Sequence, residues 1–156
     1  MPTHAEQRVL PHTPRQMFNL VADVERYPEF LPWCLASRIT KREGTVLYAD
    51  LVVGFHMLRE TFTSRVTLAP PPEGGSGRID VTYLNGPFRY LNNHWIFEPA
   101  GPGACRIDFY IDFAFHSPFL QRVMGRLFNE AVRRMVGAFE SRARQFYGPG
   151  ARPGSP

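Results

Sequence analysis

The chain has 156 residues, 44% of them hydrophobic, which is typical of one domain with a proper core. No apolar run approaches the roughly 18 residues that span a bilayer, and residues 1–10 lack the apolar core of a signal peptide, so we expect a cytoplasmic protein, at most peripheral at the inner face of a membrane. The net charge of +4, with Lys41 the only lysine among 18 basic residues, permits attraction to nucleic acid, ribosomes or an anionic membrane surface and proves none of them; we expect no DNA partner.

The first segments are short. Residues 4–10 alternate weakly and predict an edge strand, after which Thr13 and Pro14 form a cap-plus-proline start signal for a short helix. The stretch YPEFLPWC follows, with two prolines that exclude a long helix and four large apolar or aromatic side chains, Tyr27, Phe30, Leu31 and Trp33. We expect these four to surround the mouth of an apolar cavity. The alternative is that they are core residues closing one end of a sheet.

Residues 35–116 alternate with period two, which predicts five or six antiparallel strands and assigns side chains to faces. The inner face is unusually aromatic, and its members are Phe55, Phe62, Trp95, Phe97, Phe109 and Phe113. The same alternation sends the polar residues Glu60, Ser64, Arg89 and Asn93 inward. Glu60 and Arg89 form either a buried ion pair or an anchor for a ligand. Aromatic side chains, in turn, either fill the core or line a pocket.

The last predicted element is a long helix over residues 117–147. Ser117 and Pro118 begin it, and Gly148 and Pro149 end it. Its apolar stripe includes Met124, Phe128 and Val132. The opposite face, which we expect to be exposed to solvent, carries several arginines, Arg142 among them. Such a stripe is too long for a short helix to cover and needs a sheet beneath it. We expect one domain over residues 1–147 and a disordered tail over residues 148–156.

The two cysteines, Cys34 and Cys105, have no CxxC spacing, so we expect reduced core thiols rather than a disulfide or a zinc site. The five histidines show no HxxxH or HExxH spacing that would offer a metal to one helix. We therefore predict no metal, no cofactor and no catalytic set, and we expect a protein that is not an enzyme. The sequence does not indicate the oligomeric state.

Several stretches resemble a known family. They are ADVERYPEFLPWC, LYADLVVGF, ETFTSRV, WIFEPAGPGACRIDFYIDFAFHSPF and FNEAVRRMVGAFESRA, within residues 3–147. Together they resemble the coenzyme Q-binding START-like family of the polyketide cyclase/dehydrase-like superfamily, whose bacterial members are often labelled ribosome association toxin RatA. The resemblance implies an α+β, START-like helix-grip fold: a curved antiparallel sheet of six to seven strands wrapped around a long C-terminal helix, with one or two short helices after the first strand.

Three functions follow as hypotheses. The first is a non-catalytic carrier or chaperone that binds ubiquinone or a similar isoprenoid lipid in support of respiratory electron transport. The second is a RatA-like protein that binds the large ribosomal subunit and blocks subunit association. The third is a polyketide cyclase-like enzyme, for which Glu60 is the sole inward acid. The residues expected at the ligand site are Tyr27, Phe30, Leu31, Trp33, Phe55, Glu60, Phe62, Arg89, Trp95, Phe97, Phe109, Met124, Phe128 and Val132.

Overall fold

The computed structural model describes residues 3–31, 33–55 and 58–148, without the side chains of residues 55, 58 and 123–131. In chain order the elements are β1 (Thr3–Leu10), α1 (Pro14–Ala22), a short 3-10 helix (Val24–Glu29), β2 (Cys34–Glu43), β3 (Val46–Phe55), β4 (Leu58–Ala69), β5 (Gly77–Asn85), β6 (Phe88–Pro99), β7 (Cys105–Phe115) and α2 (Pro118–Tyr147). The predicted tail beyond residue 148 lies outside the described residues.

The strands form one sheet in the order β1-β7-β6-β5-β4-β3-β2, with every neighbouring pair antiparallel. The first and second strands of the chain therefore lie at opposite edges. The curved sheet packs against α2, and the two short helices follow β1, as the sequence predicted. The START-like helix-grip fold is thus confirmed.

Local signals explain where the two α-helices begin and end. Thr13 Oγ1 accepts a hydrogen bond from the Gln16 N–H at 3.1 Å, and the Gln16 side chain accepts one from the Thr13 N–H at 2.9 Å. Ser117 caps α2 in a similar way, accepting from the Leu120 N–H at 3.2 Å. Gly148 ends α2 at φ 78°, a left-handed conformation that favours glycine. These ends agree with the sequence prediction.

The core lies between the inner face of the sheet and the apolar stripe of α2. The predicted alternation places the inward side chains of β3 and β7 in this core; the buried ones are Leu47, Ala49, Leu51, Ile107, Phe109 and Phe113. From α2, Val136, Phe139 and Ala143 are buried against them. Burial of apolar side chains on this scale, at about 25 cal/mol per Å² removed from water, is the main force that holds helix and sheet together.

The alternation fails at the start of β6. A register shift between Phe88 and Tyr90 places one extra residue opposite β7, and the strand bulges there. Phe88 is buried as a result, and Arg89 is exposed. The prediction that Arg89 points inward is therefore wrong, since a single bulge reverses the faces of the residues before it.

Arg142 also departs from its predicted place. The sequence placed it on the solvent-exposed face of α2, but its side chain is only 8% exposed. Its guanidinium lies over the rings of Phe30, at 5.0 Å, and Phe146, at 4.2 Å, and it donates a hydrogen bond to Glu29. The end of α2 is covered by the segment around residue 30, which the helical period alone does not reveal.

Candidate functional site

A cavity of about 120 Å³ lies between the inner face of the sheet and α2, partly open to solvent. The sheet contributes residues of β3 to β7, namely Leu51, Phe62, Ser64, Val66, Ile79, Val81, Leu91, Asn93, Trp95, Phe109 and Ile111. The helical parts and the segment before β2 contribute Val21, Val24, Tyr27, Leu31, Trp33, Met135 and Phe139. Met135 and Phe139 are one turn apart on α2 and therefore share a face.

The lining of this cavity is apolar and carries no charged side chain among the described residues. Its polar groups are two tryptophan N–H groups, the Tyr27 hydroxyl, Ser64 and Asn93. The Tyr27 hydroxyl has no proton left to donate to a ligand, because it donates a hydrogen bond to the carbonyl oxygen of Val21. Burial raises the pKa of this hydroxyl well above its ordinary value of about 10, so it is neutral at physiological pH.

Aromatic rings form one wall of the cavity. Trp95 packs against Phe109 with ring centroids 4.6 Å apart and against Phe139 at 5.2 Å. Phe139 in turn meets Tyr27 at 5.4 Å and Phe30 at 5.1 Å. Edge-to-face contacts of this kind add about 0.5–1.5 kcal/mol each beyond the area they bury. The rings thus join β6, α2 and the segment 27–30 into one support for the cavity.

The size of the cavity limits what it can hold. An apolar cavity of roughly 150 Å³ in another protein accommodates benzene. The cavity of about 120 Å³ seen here therefore suits a single ring or a short branched chain, and a long lipid tail would have to extend out of it. Its lining matches the pattern of ligand pockets, which are mostly hydrophobic with a few polar groups that fix orientation.

The structure brings six of the predicted site residues to this cavity. They are Tyr27, Leu31, Trp33, Phe62, Trp95 and Phe109. Phe97 and Val132 are buried in the core away from the lining, and Phe30 packs behind it on Phe139. The side chains of Phe55, Met124 and Phe128 lie outside the described residues. A role of any of these residues in ligand binding stays a prediction.

The predicted pairing of Glu60 with Arg89 is wrong. Arg89 lies at the bulge of β6, where its side chain is exposed. Among the described residues no hydrogen bond or ion pair joins it to Glu60. Glu60 is half-buried on β4 and is absent from the cavity lining. Neither side chain therefore provides the charged anchor that the sequence suggested.

Two polar residues of the lining, Ser64 and Asn93, were not among the predicted site residues. Strand alternation did place both on the inner face, yet the charged residues Glu60 and Arg89 were chosen as the polar site residues instead. Phe139 and Met135 were likewise part of the apolar stripe of α2 without being assigned to the site. The available signal was a small polar side chain on an otherwise apolar strand face, which is costly unless it has a partner.

A second, much smaller cavity of about 10 Å³ borders the first and shares Trp95, Phe109 and Phe139 with it. Its polar side is an ion cluster that links β1 to α2. Arg8 donates to Glu6 at 2.8 Å and to Glu140 at 2.6 Å. The volume corresponds to about one water molecule, so this space does not admit a ligand by itself.

Among the described residues, neither nucleophilic side chains nor metal ligands cluster at the cavity. Cys34 and Cys105 are buried and free, and burial raises the pKa of their thiols to about 11 and about 12, so both are protonated at neutral pH. Within residues 3–31, 33–55 and 58–148, no group of three or more histidine, cysteine, aspartate or glutamate side chains could hold a metal ion. None of the helices described is both long enough and apolar enough to cross a membrane.

Comparison with known proteins places the chain among relatives of this fold. The family model described as polyketide cyclase/dehydrase and lipid transport matches residues 10–140. The chain is 40% identical over 149 residues to the ribosome association toxin RatA of Pseudomonas aeruginosa, which covers 95% of this chain and 100% of the relative. It is also 32% identical over 148 residues to the coenzyme Q-binding protein COQ10 homolog B, mitochondrial, of Xenopus laevis, covering 93% of this chain and 59% of the relative.

Solved structures agree with the family. The solution structure of the 18 kDa protein CC1736 from Caulobacter crescentus is 41% identical, with a TM-score of 0.72 and coverage of 95% of this chain and 99% of that one. A START superfamily protein from Mycobacterium smegmatis, 18% identical, shares the fold with a TM-score of 0.75 over 92% of this chain and 98% of that one. The chain therefore belongs to the polyketide cyclase/dehydrase and lipid transport family, together with the RatA proteins and the COQ10 homologues.

Proposed function

We propose that this chain binds a neutral hydrophobic small molecule, ubiquinone or a similar polyprenylated quinone, in the cavity between the sheet and α2, and carries it without changing it. The observation that carries the proposal is the cavity itself: about 120 Å³, apolar, and without a charged side chain among its described lining residues. A relative named as a coenzyme Q-binding protein and a family described by lipid transport support it.

The chemistry of the lining supports a carrier rather than an enzyme. General acid-base catalysis needs a group that can gain or lose a proton near neutral pH and that reaches the reacting atom. The described lining contains no carboxylate, imidazole, thiol or amine, and its one titratable group, the Tyr27 hydroxyl, stays neutral and bonded to backbone. A cyclase-like reaction would have to rely on hydrogen bonds alone.

A binding titration followed by recovery of the ligand tests this proposal. Tryptophan fluorescence reports binding of a prenylated benzoquinone, because Trp33 and Trp95 both lie in the lining. We expect saturable quenching at one site per chain and recovery of the quinone unchanged after incubation. Absence of saturable binding would contradict the carrier, and conversion of the quinone into a new product would contradict the non-catalytic role.

Ribosome binding is a second candidate function, favoured by the exposed arginines of α2. Arg122, Arg133 and Arg144 are exposed on this helix, and relatives at 35–40% identity are named ribosome association toxins. Binding to ribosomal RNA through such a surface would weaken steeply with salt. This face is separate from the cavity, so the two functions are compatible in one chain.

A matched pair of charge variants tests the ribosome hypothesis. Changing Arg122, Arg133 and Arg144 to glutamine should abolish co-sedimentation with the large ribosomal subunit while quinone binding is unchanged. The control changes three exposed arginines of the sheet, Arg38, Arg59 and Arg65, to glutamine, which alters the net charge equally. Equal loss in both variants would indicate only non-specific attraction.

Transient contact with an anionic membrane and a cytoplasmic location complete the proposal. Trp33 is half-buried, lines the cavity and is adjacent to the strand edge at β2, where a tail could leave toward a bilayer. Leu31 is buried, so these side chains do not all ring an open mouth. Trp33→Ser should reduce flotation with anionic liposomes in a folded protein, and unchanged flotation would remove Trp33 from the contact.

A further inference from the structure

We infer that the Ser64 hydroxyl, the Trp95 indole N–H and the Asn93 side-chain carbonyl bind the polar atoms of an uncharged oxygenated ring inside the cavity. This inference rests on the proposed function and adds which side chains bind the head group. It assigns selectivity to three named residues. The predicted preference is for a ring that carries oxygen atoms over a hydrocarbon of the same shape and over any charged head group.

Ser64 provides the first observation. It lies on β4, is 2% exposed and lines the cavity. Its hydroxyl has no hydrogen-bond partner among the described residues. The hydroxyl oxygen is not fully enclosed by protein and faces the cavity, where water or a ligand can hydrogen-bond to it. The free hydroxyl therefore points to an occupant of the cavity that can hydrogen-bond.

Trp95 gives an independent second observation. Its side chain is 5% exposed, it lines the cavity, and its indole N–H also lacks an acceptor in the described part of the chain. The indole nitrogen is not one of the fully enclosed polar atoms without a partner, so an acceptor inside the cavity can reach it. Because the indole group donates and never accepts, the ligand atom that it meets must carry a lone pair, as a carbonyl or ether oxygen does.

Asn93 provides the third polar group. Its amide N–H donates to the backbone carbonyl oxygen of Tyr110 at 2.8 Å, which fixes the orientation of the amide. Its side-chain carbonyl oxygen accepts no hydrogen bond from any described residue. This oxygen can accept from a ligand hydroxyl, such as one on the reduced form of a quinone, while Ser64 can donate or accept for either form.

Strand pairing places these groups around the cavity rather than at one point. Ser64 lies opposite Tyr83 on β5, and Asn93 lies opposite Val81 on the other side of the same strand. Two strand spacings and a two-residue offset put their Cα atoms on the order of 12 Å apart. No single ligand atom can reach both, whereas a ring with oxygens at separate positions can.

The absence of charge among the described lining residues sets the second half of the selectivity. A carboxylate or phosphate head group would lose its hydration without gaining a cation, at a cost far above that of a neutral carbonyl. Three neutral hydrogen-bonding groups suit a neutral ligand. The cavity should therefore exclude fatty-acid anions and phospholipid head groups.

Protein-observed NMR with two matched ligands tests the inference. The probes are prenyl-1,4-benzoquinone and prenylbenzene, which share a carbon skeleton; the quinone ring carries two carbonyl oxygens, and the benzene ring is aromatic and carries none. The wild-type protein should bind the quinone more tightly, and only the quinone should shift the Trp95 indole N–H signal downfield. Ser64→Ala should weaken the quinone about three- to tenfold and leave prenylbenzene unchanged. Octanoate should cause no saturable shift.

A matched control uses Ser37, a serine of β2 that lies outside the cavity and whose hydroxyl is buried without a partner among the described residues. Ser37→Ala should change the affinity for neither ligand. Equal affinity of the wild-type protein for quinone and hydrocarbon would overturn the inference even if Ser64→Ala failed to fold, and equal quinone affinity in wild type and a folded Ser64→Ala variant would also overturn it. In both cases the proposed function would stand. Binding of neither ligand by the wild-type protein would contradict the proposed function itself.

Discussion

Trp95 and Phe139 meet edge to face with ring centroids 5.2 Å apart, and this contact joins the inner strand β6 to α2 at the cavity. Phe139 also contacts Tyr27 and Phe30, so it connects three parts of the chain. The cavity next to Phe139 is therefore bounded by aromatic rings that pack against one another. The stability of the fold and the shape of the site depend on the same side chain.

Phe139→Ala should enlarge the cavity and destabilise the protein by about 3–5 kcal/mol, because the lost ring leaves a void that its neighbours fill only partly. Urea unfolding monitored by circular dichroism measures this. Phe119, which is exposed on the first turn of α2, offers a control whose change to alanine should cost within about 0.5 kcal/mol. Similar midpoints for both variants would show that Phe139 does not hold helix to sheet.

Val81→Trp should fill the cavity and weaken binding of a prenylated quinone by at least about tenfold, since Val81 lines the space and tryptophan puts a bulky indole in place of the small valine side chain. The control is Leu84→Trp, three residues along the same strand at an exposed position. It adds the same side chain and should leave quinone affinity unchanged. Undiminished binding by a folded Val81→Trp variant would place the ligand elsewhere.

His12 should make the stability depend on pH. It is 2% exposed, and its Nδ1 has no partner among the described residues. Burial lowers the pKa of His12 below its ordinary value of about 6.5, Arg144 acts in the same direction, and Glu140 opposes both. The unfolded chain then binds a proton more readily than the folded one. Stability should be constant above pH 6.5 and fall as the pH drops from 6.5 toward the lower folded-state pKa.

Unfolding titrations between pH 5 and pH 7.5 check this dependence. His12→Gln should flatten the decline below pH 6.5. His94 is a comparison within the same chain, because burial lowers its pKa too, though its ring stacks on Tyr110 at a less buried position. His94→Gln should therefore flatten the curve less. An unchanged slope in the His12→Gln variant would contradict the assignment.

Arg142→Lys should cost on the order of 1–2 kcal/mol although it keeps the charge. The Arg142 guanidinium lies over the rings of Phe30 and Phe146 and donates to Glu29 at the same time, and the compact ammonium group of lysine cannot do both. Thermal melting of Arg142→Lys against Arg133→Lys, an exposed position on the same helix, measures the difference. Equal melting temperatures would indicate that the stacking contributes nothing.

The fold could be predicted because its signals are local. Alternation along β3, β4 and β7 and the start signals at Thr13 and Ser117 depend on neighbours in the sequence, and each agrees with the structure. Arg89 could not be placed in this way, because a bulge is set by the pairing of β6 with β7 and shifts every face before it. Arg142 was missed for a related reason: what covers the end of α2 comes from a distant segment.

The site was predictable only in part. Alternation placed Ser64 and Asn93 on the inner face, but whether inward side chains leave a space depends on how their volumes sum across strands that are far apart in the sequence. Trp95, Phe109 and Phe62 were found because aromatic residues on the inner face are conspicuous. Small side chains such as Ser64 and Val81 create the room, and no local pattern distinguishes them from ordinary core residues.

Mass spectrometry of an organic extract from the natively purified protein tests the central claim most directly. Wild type and Leu84→Trp should each carry a neutral isoprenoid quinone in near-stoichiometric amount, and Val81→Trp purified in parallel should carry at least about tenfold less. An extract without any quinone, or equal quinone in a folded Val81→Trp variant, would contradict the claim that the cavity between the sheet and α2 holds the ligand.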